Sequence, residues 1–234
     1  MTAMSANAKI VVMTGAGISA ESGLGTFRDA GGVWTQHDFR DVATPEGFAR
    51  DPARVHDFYN QRRANAARAK PNAAHHALAR LAAGHAGEVV IVTQNVDGLH
   101  EASGVTPIHM HGRLAGATCA ACHAMWDAPE VMNPADPCPS CGAAATRPDV
   151  VWFGETPKHM DEIARHLTGA DLFAVIGTSG TVWPAAGFAE IAAGHGAHVV
   201  ELNLAPTPLT EIADEAIHGP ATETVPAWVA RLLA

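Results

Sequence analysis

Short apolar runs recur along this chain, each rich in β-branched residues and each ending in glycine or polar side chains. Residues 10–13 (Ile-Val-Val-Met), 89–93 (Val-Val-Ile-Val-Thr), 171–176 (Asp-Leu-Phe-Ala-Val-Ile) and 197–202 (Ala-His-Val-Val-Glu-Leu) have this form. A short apolar run bounded by turn formers predicts a strand buried on both faces, as in a parallel sheet covered by helices. Between the first two runs the period lengthens. Asp51-Pro52 has the form of a helix start, with Asp51 as cap and Pro52 in the first turn, and the positions to 69 read as an amphipathic helix. Pro71-Asn72 breaks it and 73–81 predicts another helix; a last one is expected over 226–233. Residues 147–155 return to strand character. Strands alternating with helices predict an α/β fold.

Composition narrows the class. The chain has 234 residues, 47% hydrophobic and 17% charged, enough for one large buried core with a small insertion. With 24 acids against 15 bases the net charge is −9, which argues against a nucleic-acid surface. Only Lys9, Lys70 and Lys158 are lysines. The first eight residues lack the apolar core of a signal peptide, and no apolar run approaches the ~20 residues of a membrane span. The expectation is a cytoplasmic protein, monomeric, with no membrane or direct nucleic-acid partner.

The chemistry sits at the ends of the apolar runs. The first ends in Gly15-Ala16-Gly17. Glycines between a strand and a helix N-terminus let backbone approach a phosphate. The full G-x-G-x-x-G spacing is not met, and an ordinary tight turn would use the same glycines. Ser22 to Arg28 is too glycine-rich to continue a helix, so a loop carrying Phe27 and Arg28 is expected. The second run leads into Gln94-Asn95-Val96-Asp97-Gly98-Leu99-His100, polar groups where open α/β sheets bind ligands, although Asn and Asp also favour plain turns.

Four cysteines, Cys119, Cys122, Cys138 and Cys141, form two C-x-x-C hooks fifteen residues apart, and none is left over. Each hook offers two thiolates across a tight turn, the pattern of a structural, four-coordinate zinc site. Two disulfides or a redox pair are the alternatives; a reducing compartment disfavours the first and the duplication the second.

The strings GAGIS-x-x-SG-x-x-x-FR, TQNVDGLH, the His111-Gly112 pair, RP-x-VVWFGE and GTS resemble, in this order, the signatures of sirtuins, the NAD-dependent protein deacylases. Gly25 stands where that family usually has proline. The resemblance runs from 9 to 233. It implies a Rossmann-like parallel sheet over 1–35, 86–115 and 149–234, a helical segment of a smaller module over 36–85 and a zinc-binding module over 116–148. It further implies that NAD is held by Gly15, Ala16, Gly17, Ser19, Phe27, Arg28, Trp34, Gln94, Asn95, Asp97, Gly177, Thr178, Ser179, Asn203 and Ala221. His111 would be the general base, with Asn95 beside it in catalysis, and Val151, Trp152, Phe153 and Gly154 would carry the substrate peptide. His75, His76, His100 and His109 are read as structural.

The reaction so implied removes an acyl group from lysine. The acyl oxygen attacks C1′ of the nicotinamide ribose, nicotinamide leaves, and His111 takes a ribose hydroxyl proton, ending in acyl-ADP-ribose. Tyr59 and Arg62, at i and i+3 on one helix, resemble the acyl-pocket pair of the desuccinylase branch, and Ala43 matches its small pocket residue. A mono-ADP-ribosyltransferase using the same NAD site, or a non-catalytic module binding NAD or acyl-peptide, remain the alternatives.

Overall fold

The computed structural model describes residues 5–26, 33–180 and 183–234; the side chains of Trp34 and Gln36, like the whole of Phe27 and Arg28, lie outside the described residues. In chain order the elements are β1 (Ile10–Thr14), α1 (Gly17–Ala20), α2 (Val33–Gln36), α3 (Phe39–Val42), α4 (Pro45–Arg50), α5 (Pro52–Arg68) and α6 (Ala73–Gly84). They continue with β2 (Val89–Thr93), α7 (Leu99–Ala102), β3 (Ile108–His109), β4 (Gly112–Cys119), β5 (Met125–Asp127), β6 (Thr146–Val150) and α8 (Met160–Thr168). Last come β7 (Leu172–Ile176), α9 (Phe188–Gly194), β8 (His198–Asn203), β9 (Glu215–His218) and α10 (Ala221–Leu232).

Six strands pair in the order β3-β2-β1-β7-β8-β9, all parallel. Counted within the sheet this is the doubly wound order 3-2-1-4-5-6, and chain direction of travel reverses between β1 and β7. The apolar runs are continuous because both faces are buried. Alternate residues supply two cores: Ile10, Val12, Leu172, Ala174 and Ile176 face α6 and α10, whereas Val11, Met13, Phe173 and Val175 face α8 and α9.

A second sheet, β5-β4-β6, is antiparallel, and a third core joins it to α3 and α5 through Val42, Val55, Phe58, Tyr59, Leu114 and Trp152. Arg63 ties the two together, donating from Nε to the Leu114 carbonyl at 2.8 Å and from Nη1 to Glu130 O at 3.2 Å.

Three elements differ from the sequence reading. Helix α6 packs on the parallel sheet and on α10, rather than with the helices preceding it, because Ala74, Ala77, Leu78 and Leu81 form one apolar stripe that the sheet buries. The last helix begins at Ala221, with Pro226 inside it, because the Glu21 carboxylate accepts from Thr222 N at 3.0 Å and satisfies its first turn. Strand β6 ends at Val150. The Val-Trp-Phe-Gly segment is a loop fixed by Val151 N–H donating to His111 O at 2.9 Å and Phe153 N–H to Ala43 O at 3.0 Å.

Candidate functional site

The parallel strands end in register. Thr14 pairs with Thr93 and with Ile176, and Ile176 with Leu202. Gly15, Gln94 and Gly177 therefore leave the sheet side by side, next to Asn203 at the end of β8, at the switch point where such sheets bind ligands. Gly177 sits at φ +63° with its carbonyl 2.7 Å from the Gly17 amide that donates to it; a Cβ on Gly177 would fall 2.5 Å from Ile18 N. Only glycine permits this close approach.

Side chains then lock the row together. Thr178 Oγ1 donates to Gln94 Oε1 at 3.1 Å, and Asn203 Nδ2 to the Thr178 carbonyl at 2.7 Å. Asn95, buried, donates from Nδ2 to Gly15 O at 3.0 Å and to Ser19 Oγ at 3.2 Å; Ser19 Oγ donates on to Asp97 Oδ2 at 3.0 Å. Asp97 Oδ1 also accepts from Leu99 N at 3.1 Å. Burial raises the Asp97 pKa above the usual carboxylate value, against the pull of these two donors.

A cavity of about 820 Å³ opens over this edge, at the upper end of the ~300–1,000 Å³ typical of small-molecule sites. Ala16, Gly17, Gln94, Asn95 and His111 line it, as do Gly177, Thr178, Ser179, Asn203 and Ala221. Its far wall is Ala43, Tyr59, Arg62 and the loop from Val151 to Gly154. Ser19 and Asp97 border a smaller adjoining chamber of about 470 Å³, which shares Asn95 and Arg62 with the first. Gly15 lies behind the wall, packed on Gly177. The structure thus gathers the predicted residues into one connected space, apart from Gly15 and those outside the described residues.

The histidines separate by their partners. His111 Nδ1 lies 3.1 Å from Gln94 O. A carbonyl only accepts, so Nδ1 carries the proton and Nε2 is the basic atom. Burial holds the His111 pKa below the ordinary histidine value, with the Gln94 bond opposing. His111 is followed by Gly112 at φ +79°, where a Cβ would lie 2.0 Å from Asp149 O, so the turn that presents the imidazole requires glycine. His109 has both nitrogens engaged, Nδ1 3.1 Å from Asn95 O and Nε2 2.6 Å from Glu101 Oε1. His100 Nε2 is 3.0 Å from Thr14 Oγ1 in the core, and His75 caps α6 beside Asn72.

On the far wall Tyr59 is buried and burial pushes its phenol up to about 12. Arg62, one turn on, packs its guanidinium 5.6 Å from the Phe58 ring centroid, and burial lowers its pKa.

The four cysteines converge: all sulfurs lie within 4.8 Å of one another, with Cys119–Cys141 and Cys122–Cys138 at 3.7 Å. Tetrahedral zinc with Zn–S of ~2.3 Å needs sulfurs ~3.8 Å apart, so the set fits that ion. Backbone N–H groups of Ala121 and Ser140 donate to Cys119 and Cys138, both at 3.4 Å, orienting the hooks.

Sequence reasoning missed the supports. Asn72 Nδ2 donates to Ile18 O at 2.8 Å, holding α1 under the site, and the buried Glu201 accepts from Thr207 Oγ1 at 2.5 Å, holding the loop at the Asn203 end. Neither has a local string to announce it.

A deep cleft at the switch point of a parallel sheet, beside a second small sheet with four clustered thiols that fit a metal ion, defines a doubly wound α/β protein with a ligand site at its strand ends. The chain belongs to the Sir2 family, whose model matches residues 15–184. It is 56% identical over 231 residues to the NAD-dependent protein deacylase of Caulobacter vibrioides, covering 97% of each chain. It is 50% identical over 229 residues to that of Escherichia coli (strain K12), covering 96% of this chain and 82% of the other. A solved Sir2 homolog–NAD complex superposes with TM-score 0.88 at 38% identity, covering 97% of this chain and 90% of that one. Among the described residues no helix is long and apolar enough to cross a membrane.

Proposed function

We infer that this chain removes acyl groups from lysine side chains of proteins and consumes NAD in doing so. The observation that carries the reading is His111, its Nδ1 proton committed to the Gln94 carbonyl and its Nε2 left basic on the cavity wall. Bound NAD supplies an electrophilic ribose carbon once nicotinamide departs. Gly17, Thr178, Ser179 and Asn203 would hold its nucleotide half by backbone and short polar side chains, and Asn95, Asp97 and Gln94 its nicotinamide riboside. His111 Nε2 would take a ribose hydroxyl proton, a task suited to a group titrating near working pH. The four thiolates leave zinc no open position, so its role is to staple β4 and the strands around it.

Tyr59 and Arg62 share the far wall with the small Ala43, which favours an acyl group ending in a carboxylate, such as succinyl-, malonyl- or glutaryl-lysine. The test is a panel of acyl-lysine peptides incubated with NAD, reading nicotinamide and acyl-ADP-ribose. Nicotinamide release with ADP-ribose bound covalently to protein, and no deacylated peptide, would make the chain an ADP-ribosyltransferase instead.

A further inference from the structure

Beside the Tyr59–Arg62 wall lies a stack of side chains, Arg147, Glu155, Trp152 and Tyr59, of which Arg147 alone does not line the cavity. Glu155 accepts from Arg147 twice, Nη1 to Oε1 at 2.7 Å and Nη2 to Oε2 at 2.9 Å, and Oε2 also accepts the Trp152 backbone N–H at 2.8 Å. The Arg147 guanidinium carbon sits 3.5 Å from the centroid of the Trp152 ring. Trp152, 3% exposed, donates its indole Nε1–H to the Tyr59 hydroxyl at 3.0 Å. Backbone, salt bridge and ring stack thus hold the indole in one place, and the indole holds the phenol oxygen.

A phenol has one proton and two lone pairs, an indole N–H only donates, and a guanidinium only donates. The Trp152 bond occupies a lone pair of Tyr59, and neither Trp152 nor Arg62 can accept the phenol's proton. Among the described residues no acceptor takes that proton, which leaves it for whatever the cavity holds. With its pKa at about 12 the phenol keeps it at any working pH.

We propose that Trp152 is a positioning residue for acyl recognition: its indole N–H occupies one lone pair of the Tyr59 hydroxyl and orients its O–H toward the cavity, so that Tyr59 and Arg62 aim two donors at the end of the acyl chain. This rests on the reading that the preferred acyl group is anionic. Two convergent donors match a carboxylate and mismatch a terminal amide of the same size, whose N–H groups would face them unpaired.

The experiment compares kcat/KM for succinyl-, succinamoyl- and acetyl-lysine versions of one peptide. Trp152→Phe keeps a ring for Arg147 and removes the indole donor. The succinyl-to-acetyl ratio is expected to fall about threefold to tenfold, mainly through KM, as for loss of one hydrogen bond. The preference for succinyl over succinamoyl should shrink with it. In a Tyr59→Phe background the same substitution should leave the ratio where Tyr59→Phe alone put it. An unchanged ratio in Trp152→Phe, or an equal fall in both backgrounds, would overturn the positioning role. Arg62→Met separates the two levels. If it lowers the ratio while Trp152→Phe does not, only the role of Trp152 fails; if it too leaves the ratio unchanged, the anionic preference itself fails. Should Trp152→Phe not fold, Arg147→Lys keeps the indole but loses the bidentate pair and the guanidinium stack that fix its position. The ratio should then fall in the same direction, and its constancy would equally overturn the proposal.

Discussion

The imidazole of His111 is hydrogen-bonded through Nδ1 to the backbone carbonyl of Gln94, two residues on different strand ends brought within 3.1 Å. Gln94 itself is anchored, its N–H donating to Thr14 O at 2.9 Å, so the imidazole proposed as the base is mounted on the sheet rather than on a loose loop. One tautomer follows, and one nitrogen remains for chemistry. His111→Ala should cost about 10² to 10⁴ in kcat for deacylation while NAD binding, followed by calorimetry, persists. Near-normal turnover would move the base elsewhere.

The pH profile checks the same residue. Burial lowers the His111 pKa, so its neutral, basic form persists below the ordinary value of ~6.5 and is lost only as pH falls through the lowered value. The acid limb of kcat/KM should lie below ~6.5. A limb centred above that value would mean that the imidazole is stabilised in its charged form, against the burial seen here.

Stability should show its own acid dependence through two other histidines. Burial holds His75 at about 3 and His100 at about 4, with their rings 5.1 Å apart in the core. Both are depressed below an unfolded value of ~6.5. Between these values the unfolded chain binds more protons than the native one, so this contribution is fully present above ~6.5 and declines as pH falls toward 4 and then 3. Two such groups set a slope of up to about 2.7 kcal/mol per pH unit. Denaturant unfolding between pH 7 and 5 should show the decline, and the His75→Gln/His100→Gln variant should flatten it. An equally steep slope in the variant would assign the effect to other groups.

Zinc is expected to serve the fold and not the reaction. Four thiolates fill a tetrahedral ion, and the small β5-β4-β6 sheet has little core of its own around them. Cys138→Ser should lower bound metal, by elemental analysis, together with thermal stability and soluble yield. A metal-free protein of undiminished stability and activity would refute the structural assignment.

Arg62 supplies the fifth test. A charge-assisted hydrogen bond contributes roughly 1.5–3 kcal/mol, so Arg62→Met should reduce kcat/KM on succinyl-lysine about tenfold to a hundredfold more than on acetyl-lysine. Equal losses on both would make the arginine a structural element of α5.

Much of this was legible along the chain. Apolar runs ending in glycine or polar residues announced β1, β2, β7 and β8 to within a residue or so, because burial on both faces and turn chemistry are local demands. The C-x-x-C hooks announced the cluster of four sulfurs for the same reason, and the strings around Gly15, Gln94 and Gly177 marked the edge where the cavity opens. What only the tertiary structure decided are relationships between distant positions. The placing of β1 beside β7 makes the cleft. The start of α10 depends on Glu21, 201 residues before its partner, and the Tyr59 hydroxyl on an indole 93 residues away. The sheet, not the local pattern, claimed α6, and the Val-Trp-Phe-Gly segment left the ladder to bond His111 and Ala43. A residue's neighbours in the chain set its backbone preference and its need for burial; which donor meets which acceptor is set when the layers pack.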